Sequence, residues 1–193
     1  MSHVSERQIL GHPSGLFVLF FTELWERFNF YGMRALLIFY MTKVFLFEDA
    51  FAYLSYGAYN GLVYATPLLG GMLADRILGY RRAIILGGIL MAAGEFCLAG
   101  SGFGLLPQSR TFFYVSLGLI IAGNGFFKPN ISTMVGTLYK PGDARRDSAF
   151  TIFYMGINIG ATIAPLACGT IGETWGYHYG FLLAGIGMLV GLS

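Results

Sequence analysis

The sequence predicts an all-α integral membrane protein, and three observations lead there. Of 193 residues, 55% are hydrophobic and 11% are charged, with a mean hydropathy of +0.63; a soluble domain carries about 25% charged residues. The apolar residues fall into six stretches, and roughly 20 apolar residues suffice for a helix to cross a bilayer core of about 30 Å. Basic residues gather in short clusters flanking those stretches, as at Arg81–Arg82 and Arg145–Arg146.

The stretches lie near 14–45, 50–78, 81–101, 111–139, 147–172 and 178–193. Several exceed the minimum by a turn or two, which allows tilt or extension beyond the hydrocarbon. Pro67, Pro129 and Pro165 each interrupt a span, removing a helical donor and freeing a carbonyl one turn earlier. They are candidate bends. The last stretch reaches Ser193 without a flanking charge and reads as a helix cut mid-span. Six helices alone would wall a central cavity on one side only, so residues 1–193 read as half of a larger bundle.

Charge asymmetry gives an orientation. Arg7, Arg76, Arg81, Arg82, Lys140, Arg145 and Arg146 fall on one side, while Lys43 and Arg110 fall on the other. The positive-inside rule then predicts a cytoplasmic N-terminus in a multi-pass protein of the cell (inner) membrane.

Several function classes find no support in the residues. A net charge of +2 without a basic stripe argues against a nucleic-acid partner. Cys97 and Cys168 lie singly in apolar runs and read as packing residues; His3, His12 and His178 are too dispersed for a shared metal. The first apolar run is too long and too charged for a cleavable signal peptide. G-N-G-F-F-K, residues 123–128, lacks the G-K-[ST] of a phosphate loop, and the sequon Asn130-Ile131-Ser132 sits inside a span. With no Ser/His/Asp set and no metal cluster, the chain does not read as an enzyme, and no cofactor is expected beyond protons as a coupling ion.

The informative segment is E-L-W-E-R-F-N-F-Y-G-M-R, residues 23–34. Each ionised group at a helix centre in a bilayer costs about 2.5–3.5 kcal/mol, so Glu23, Glu26, Arg27 and Arg34 must pair or face water. Helical spacing puts Glu23, Glu26, Arg27, Phe30, Tyr31 and Arg34 on one stripe. Glu23 and Arg27, four apart, can pair. Glu26 then needs a cation from elsewhere, for which Lys128 is the candidate. A static network joining helices is one reading, although buried ion pairs stabilise poorly compared with apolar packing. The other reading is a site whose protonation follows the arrangement of its neighbours and so couples proton movement to conformation. On that reading the stripe borders an aqueous chamber.

E-L-W-E-R-F-N-F-Y-G resembles the E-x-x-E-R-F-x-Y-Y-G motif of the proton-dependent oligopeptide transporters, a branch of the major facilitator superfamily, with Phe30 replacing the first tyrosine. F-Y-M-G-I-N-I-G, residues 153–160, is similar to that family's fifth-helix signature. G-M-L-A-D-R-I-L-G-Y-R-R, residues 71–82, resembles the superfamily's loop between helices two and three. The resemblance implies the N-terminal six-helix bundle of a major facilitator fold, facing a C-terminal six-helix bundle absent from this chain. It implies proton-coupled symport of di- and tripeptides by alternating access, with short peptides and the lipid bilayer as partners. By position it assigns Glu23, Glu26, Arg27 and Lys128 to proton coupling, and Tyr31, Arg34, Tyr64, Lys128 and Asn158 to peptide contact. Asp75, Arg76, Arg81 and Arg82 would form a cytoplasmic loop latch.

The chemistry fits. A short peptide is a zwitterion whose carboxylate Arg34 and Lys128 can anchor and whose backbone Asn158 can bind. Transport of nitrate or another small anion on the same fold, or peptide sensing without transport, remain alternatives. Glu95, in the third stretch, reads equally as a cavity-facing acid or as half of a packing pair. Tyr31, Tyr56, Tyr59 and Tyr64 are candidate cavity residues. The spacings Gly57/Gly61, Gly156/Gly160, Gly172/Gly176 and Gly187/Gly191 predict close helix packing.

Overall fold

The computed structural model describes residues 8–193; Arg7 and His3 lie outside the described residues. A short hairpin, β1 (Gln8–Ile9) and β2 (His12–Pro13), turns through Leu10 and Gly11, both at positive φ. The fixed φ of Pro13 then leads into the first helix.

α1 spans Ser14–Phe39 and continues through a wide turn at Tyr40–Val44. α2 spans Asp49–Leu73 and ends in a second wide turn, Ala74–Leu78. α3 is Tyr80–Gly102, and α4 is Arg110–Thr137. α5, Arg145–Ala164, passes through a wide turn at Pro165–Gly169 into α6, Thr170–Trp175, as one rod of 31 residues. α7 is Tyr177–Leu192. The six predicted stretches thus correspond to α1, α2, α3, α4, the α5–α6 rod and α7, with boundaries moved by a few residues.

Local chemistry sets the breaks. Gly79 at φ 73° separates α2 from α3, and Gly176 at φ 120° separates α6 from α7; both lie in the left-handed region that glycine enters without penalty. The Ser109 hydroxyl accepts the Phe112 N–H at 3.2 Å and caps α4. α2 and α4 run on through Pro67 and Pro129, while Pro165 coincides with the change from α-helix to the wider turn.

α3, α4 and the α5–α6 rod are long and apolar enough to cross a membrane, and α7 is a shorter apolar helix. α1 and α2, at 26 and 25 residues, have the length to span; charges dilute the first, and tyrosine, serine, asparagine and glycine the second.

Neighbouring rods run α5, α1, α7, α3, α4, α2 around an arc, with α1 and α4 meeting lightly across it. Glycine permits the tight crossings. A Cβ on Gly87 would stand 2.6 Å from the Gly123 carbonyl oxygen, and one on Gly123 would stand 2.5 Å from that of Gly87. Pro129 offers no N–H to the Gly125 carbonyl, and that carbonyl faces Gly70 across the α2–α4 contact. Gly156 and Gly160 seat α5 on Phe20 and Leu24, while Gly187 and Gly191 seat α7 on Phe28 and Trp25. Two expected seams differ. Gly57 and Gly61 have nothing within 4 Å because they lie on an exposed face of α2, and Gly176 is the break between α6 and α7, set against the His178 ring, while Gly172 packs against Leu36. Cys168 packs on Gly32, whereas Cys97 is half-buried.

Candidate functional site

The charged stripe of α1 divides into a sealed part and an open part. Glu23, Glu26 and Arg27 are 3%, 0% and 4% exposed, so the expectation that the whole stripe borders a chamber is corrected for these three. They are enclosed because α5 closes on α1 at Gly160, whose missing Cβ leaves room for Arg27, and α7 closes on its other side at Gly187 and Gly191. Tyr31 and Arg34, one and two turns on, are half-buried.

Arg27 holds both acids. Its Nε lies 3.2 Å from Glu23 Oε1, which is the expected one-turn pair. Its Nη2 donates to Glu26 Oε1 at 2.7 Å, and its Nε donates to Glu26 Oε2, completing a forked contact. The guanidinium stands 5.3 Å from the Phe30 ring centre, so the position lacking the motif hydroxyl still serves as an apolar face for the cation.

The predicted Glu26–Lys128 pair is not present. Glu26 is satisfied by its sequence neighbour Arg27 and by Asn124 Nδ2, 3.2 Å from Oε1. The Lys128 ammonium instead stands 5.0 Å from the ring centre of Tyr64, which is 65% exposed. The reason is reach: adjacent long side chains can fold together beside the helix, and Asn124, one turn before Lys128, meets the acid first.

Arg34 mirrors Lys128. Its Nε donates to the Tyr56 hydroxyl at 2.5 Å, with the guanidinium 5.6 Å from that ring's centre. Tyr56, Asn60 and Tyr64 recur one turn apart along α2, and the Asn60 amide donates to the Tyr56 carbonyl. Among the described residues neither Arg34 nor Lys128 has a carboxylate within 4 Å. Two cations on α1 and α4 thus lie over two tyrosines of α2, ready for an anion.

Other expected residues make no hydrogen bond with this pair. Asn158 is exposed on the face of α5 turned away from the glycine seam, with no side-chain hydrogen bond to Arg34, Tyr56 or Lys128. Tyr59, expected at the cavity, is buried because it faces α4, and its hydroxyl has no partner. Glu95 is neither cavity-facing nor paired: it is 0% exposed with both oxygens unpartnered. Asp75, Arg76, Arg81 and Arg82 are exposed around the Gly79 turn, and no ion pair within 4 Å joins them.

Sequence reasoning missed Asn124, although its place one turn from Lys128 was a usable signal. It also did not pair Tyr56 with Arg34, because that contact joins different helices.

Comparison with known proteins follows the same lines. The profile described as PTR2, POT family, matches residues 81–193. The di-/tripeptide transporter of Lactococcus lactis subsp. lactis (strain IL1403) is 47% identical over 195 residues, covering 97% of this chain and 38% of the relative. The uncharacterized transporter YclF of Bacillus subtilis (strain 168) is 46% identical over 194 residues, covering 98% and 38%. A crystal structure of a mutant peptide transporter POT in complex with alafosfalin superposes with a TM-score of 0.90 at 47% identity, covering 98% of this chain and 39% of that one. The chain spans about 38% of the length of the curated relatives it matches. The six-rod bundle, its charged first helix and the matched profile agree: this chain belongs to the POT family.

Proposed function

We propose that this bundle is the N-terminal half of a proton-coupled symporter of di- and tripeptides, working by alternating access against a second six-helix bundle. The observation that carries the reading is the contrast between its cations. Arg27 is saturated by two acids, whereas Arg34 and Lys128 lack a carboxylate and lie at the open edge over Tyr56 and Tyr64. The open pair suits the C-terminal carboxylate of a peptide, with Tyr31 and Asn158 beside its backbone.

The sealed trio carries the coupling. A proton taken by Glu23 or Glu26 weakens that acid's hold on Arg27, which alters how α1 seats against α4 through Asn124 and so links proton to conformation. Glu23, Glu26, Arg27 and Lys128 form the coupling group, and the proton is the only coupling ion. Asp75, Arg76, Arg81 and Arg82 form a cytoplasmic loop latch, and the N-terminus is cytoplasmic. The peptide transporters among the relatives support a peptide cargo over nitrate, and transport over catalysis.

The test is gradient-driven dipeptide uptake by the complete transporter in liposomes. Glu26→Gln is expected to abolish driven uptake and spare counterflow exchange; driven uptake persisting in that variant removes Glu26 from coupling. Uptake of nitrate with no competition from dipeptides would overturn the cargo.

A further inference from the structure

Glu95 is the ionisable group this mechanism leaves unused. It sits in the middle of α3 with 0% exposure, and neither carboxyl oxygen has a hydrogen-bond partner. On the α7 side its Cβ lies against Gly185, and on the α4 side its neighbour Gly94 meets Ser116 and Ile120. The Ser116 hydroxyl is already engaged by the Phe112 carbonyl. Tyr59 of α2 and Cys168 of the wide turn after α5 are titratable side chains within electrostatic reach. No lysine or arginine among the described residues pairs with it.

A buried carboxylate with neither donor nor cation is an uncompensated charge, and the neutral acid removes that penalty. Packing alone does not account for the residue, because glutamine or methionine would fill the same volume without it. Buried polar atoms on other helices are likewise unanswered: Glu23 Oε2 on α1, the Tyr59 hydroxyl on α2 and Asn124 Oδ1 on α4. Asn124 binds Glu26 through its other amide atom. In native interiors an unpartnered buried acid needs an explanation, and ionisable residues inside membrane bundles serve proton or ion movement by default.

We infer that Glu95 is a second proton-binding residue of the transport cycle, loaded and unloaded separately from Glu23, Glu26 and Arg27. The inference rests on the transport reading above. In the arrangement seen here Glu95 is the neutral acid. When the rods shift and open this face of α3 to water, the O–H bond breaks, the proton passes to water and the carboxylate remains. Reprotonation from water precedes closure.

The experiment uses the complete transporter in liposomes with dialanine as the probe. Glu95→Gln keeps the shape and removes the exchangeable proton; it is expected to lower the proton-to-peptide ratio, read from reversal potentials, by a whole proton and to flatten the uptake-versus-pH curve. Glu95→Asp restores both. An unchanged ratio and pH profile in Glu95→Gln overturns the inference. If that variant does not fold, infrared spectroscopy decides: a carboxylic-acid C=O band that shifts in Glu95→Asp and responds to bulk pH supports it, and a Glu95 band fixed at every pH overturns it. The infrared measurement needs no peptide, so it still decides on Glu95 if the wild type shows no driven dipeptide uptake, an outcome that sinks only the transport reading.

Discussion

Arg27 grips Glu26, its neighbour in sequence, through a forked contact while a third contact reaches Glu23 one turn earlier. Among the described residues the guanidinium is the only cation within 4 Å of the two buried acids. Removing one partner of such a group typically costs about 3–5 kcal/mol. Arg27→Gln is expected to lower the unfolding midpoint in detergent sharply. Lys128→Gln, at a half-buried residue without an acid partner, should change it little. Equal melting of the two variants would refute the pairing.

Gly70, Gly87 and Gly57 supply an internal control on packing. A Cβ at Gly87 stands 2.6 Å from a backbone oxygen, one at Gly70 is closer still, and one at Gly57 meets nothing within 4 Å. Overpacking a tight contact costs about 1–3 kcal/mol, and an alanine in an open helical site gains about 0.5–1 kcal/mol over glycine. Gly87→Ala and Gly70→Ala should melt earlier than the parent and Gly57→Ala no earlier. The reverse order would misplace the α2–α4 and α3–α4 seams.

Arg34 and Lys128 should bind the peptide terminus as charge-assisted donors, each worth about 1.5–3 kcal/mol, or roughly 10- to 150-fold in affinity. Calorimetry on the complete transporter should show that loss for Arg34→Ala and for Lys128→Ala. A C-terminally amidated dipeptide should bind weakly to the parent. Unchanged affinity in both variants would refute the anchor. Tyr56→Phe, which removes the hydroxyl that orients Arg34, should show a smaller loss.

Outside the spans, Arg145 ties the α4–α5 loop to the N-terminal hairpin. Its side chain and backbone N–H donate to Asp143, and its Nη1 donates to the Gly11 carbonyl at 2.9 Å. His12 Nδ1 and the Tyr139 hydroxyl lie 2.8 Å apart in the same cluster. The side-chain hydrogen bond from Arg145, with its backbone hydrogen bond second, holds the Asp143 carboxyl down from 3.8 to about 2. A lowered folded-state value stabilises above the unfolded value and is lost as pH falls through the folded one. The clip is thus intact above pH ~4 and released toward pH ~2. Pepsin cleavage near residues 139–145 should rise across that window in the parent, while Asp143→Asn should be open throughout; identical pH profiles would refute the link.

What the sequence determined by itself was mostly periodic or local. Runs of apolar residues between charge clusters marked six rods because a bilayer demands a fixed length of apolar helix. The Glu23–Arg27 pair followed from one-turn spacing, and E-L-W-E-R-F with F-Y-M-G-I-N-I-G pointed to the family. Tertiary structure decided everything that depends on which rods meet. Asn124 rather than Lys128 answers Glu26, because α4 presents the amide to α1 one turn before the lysine. Tyr56 and Tyr64 receive the two open cations, and Gly57 and Gly61 lie exposed where the spacing alone promised a seam. Glu95 is sealed where α4 and α7 pack on α3, and burial by other segments leaves no mark in the residues beside it.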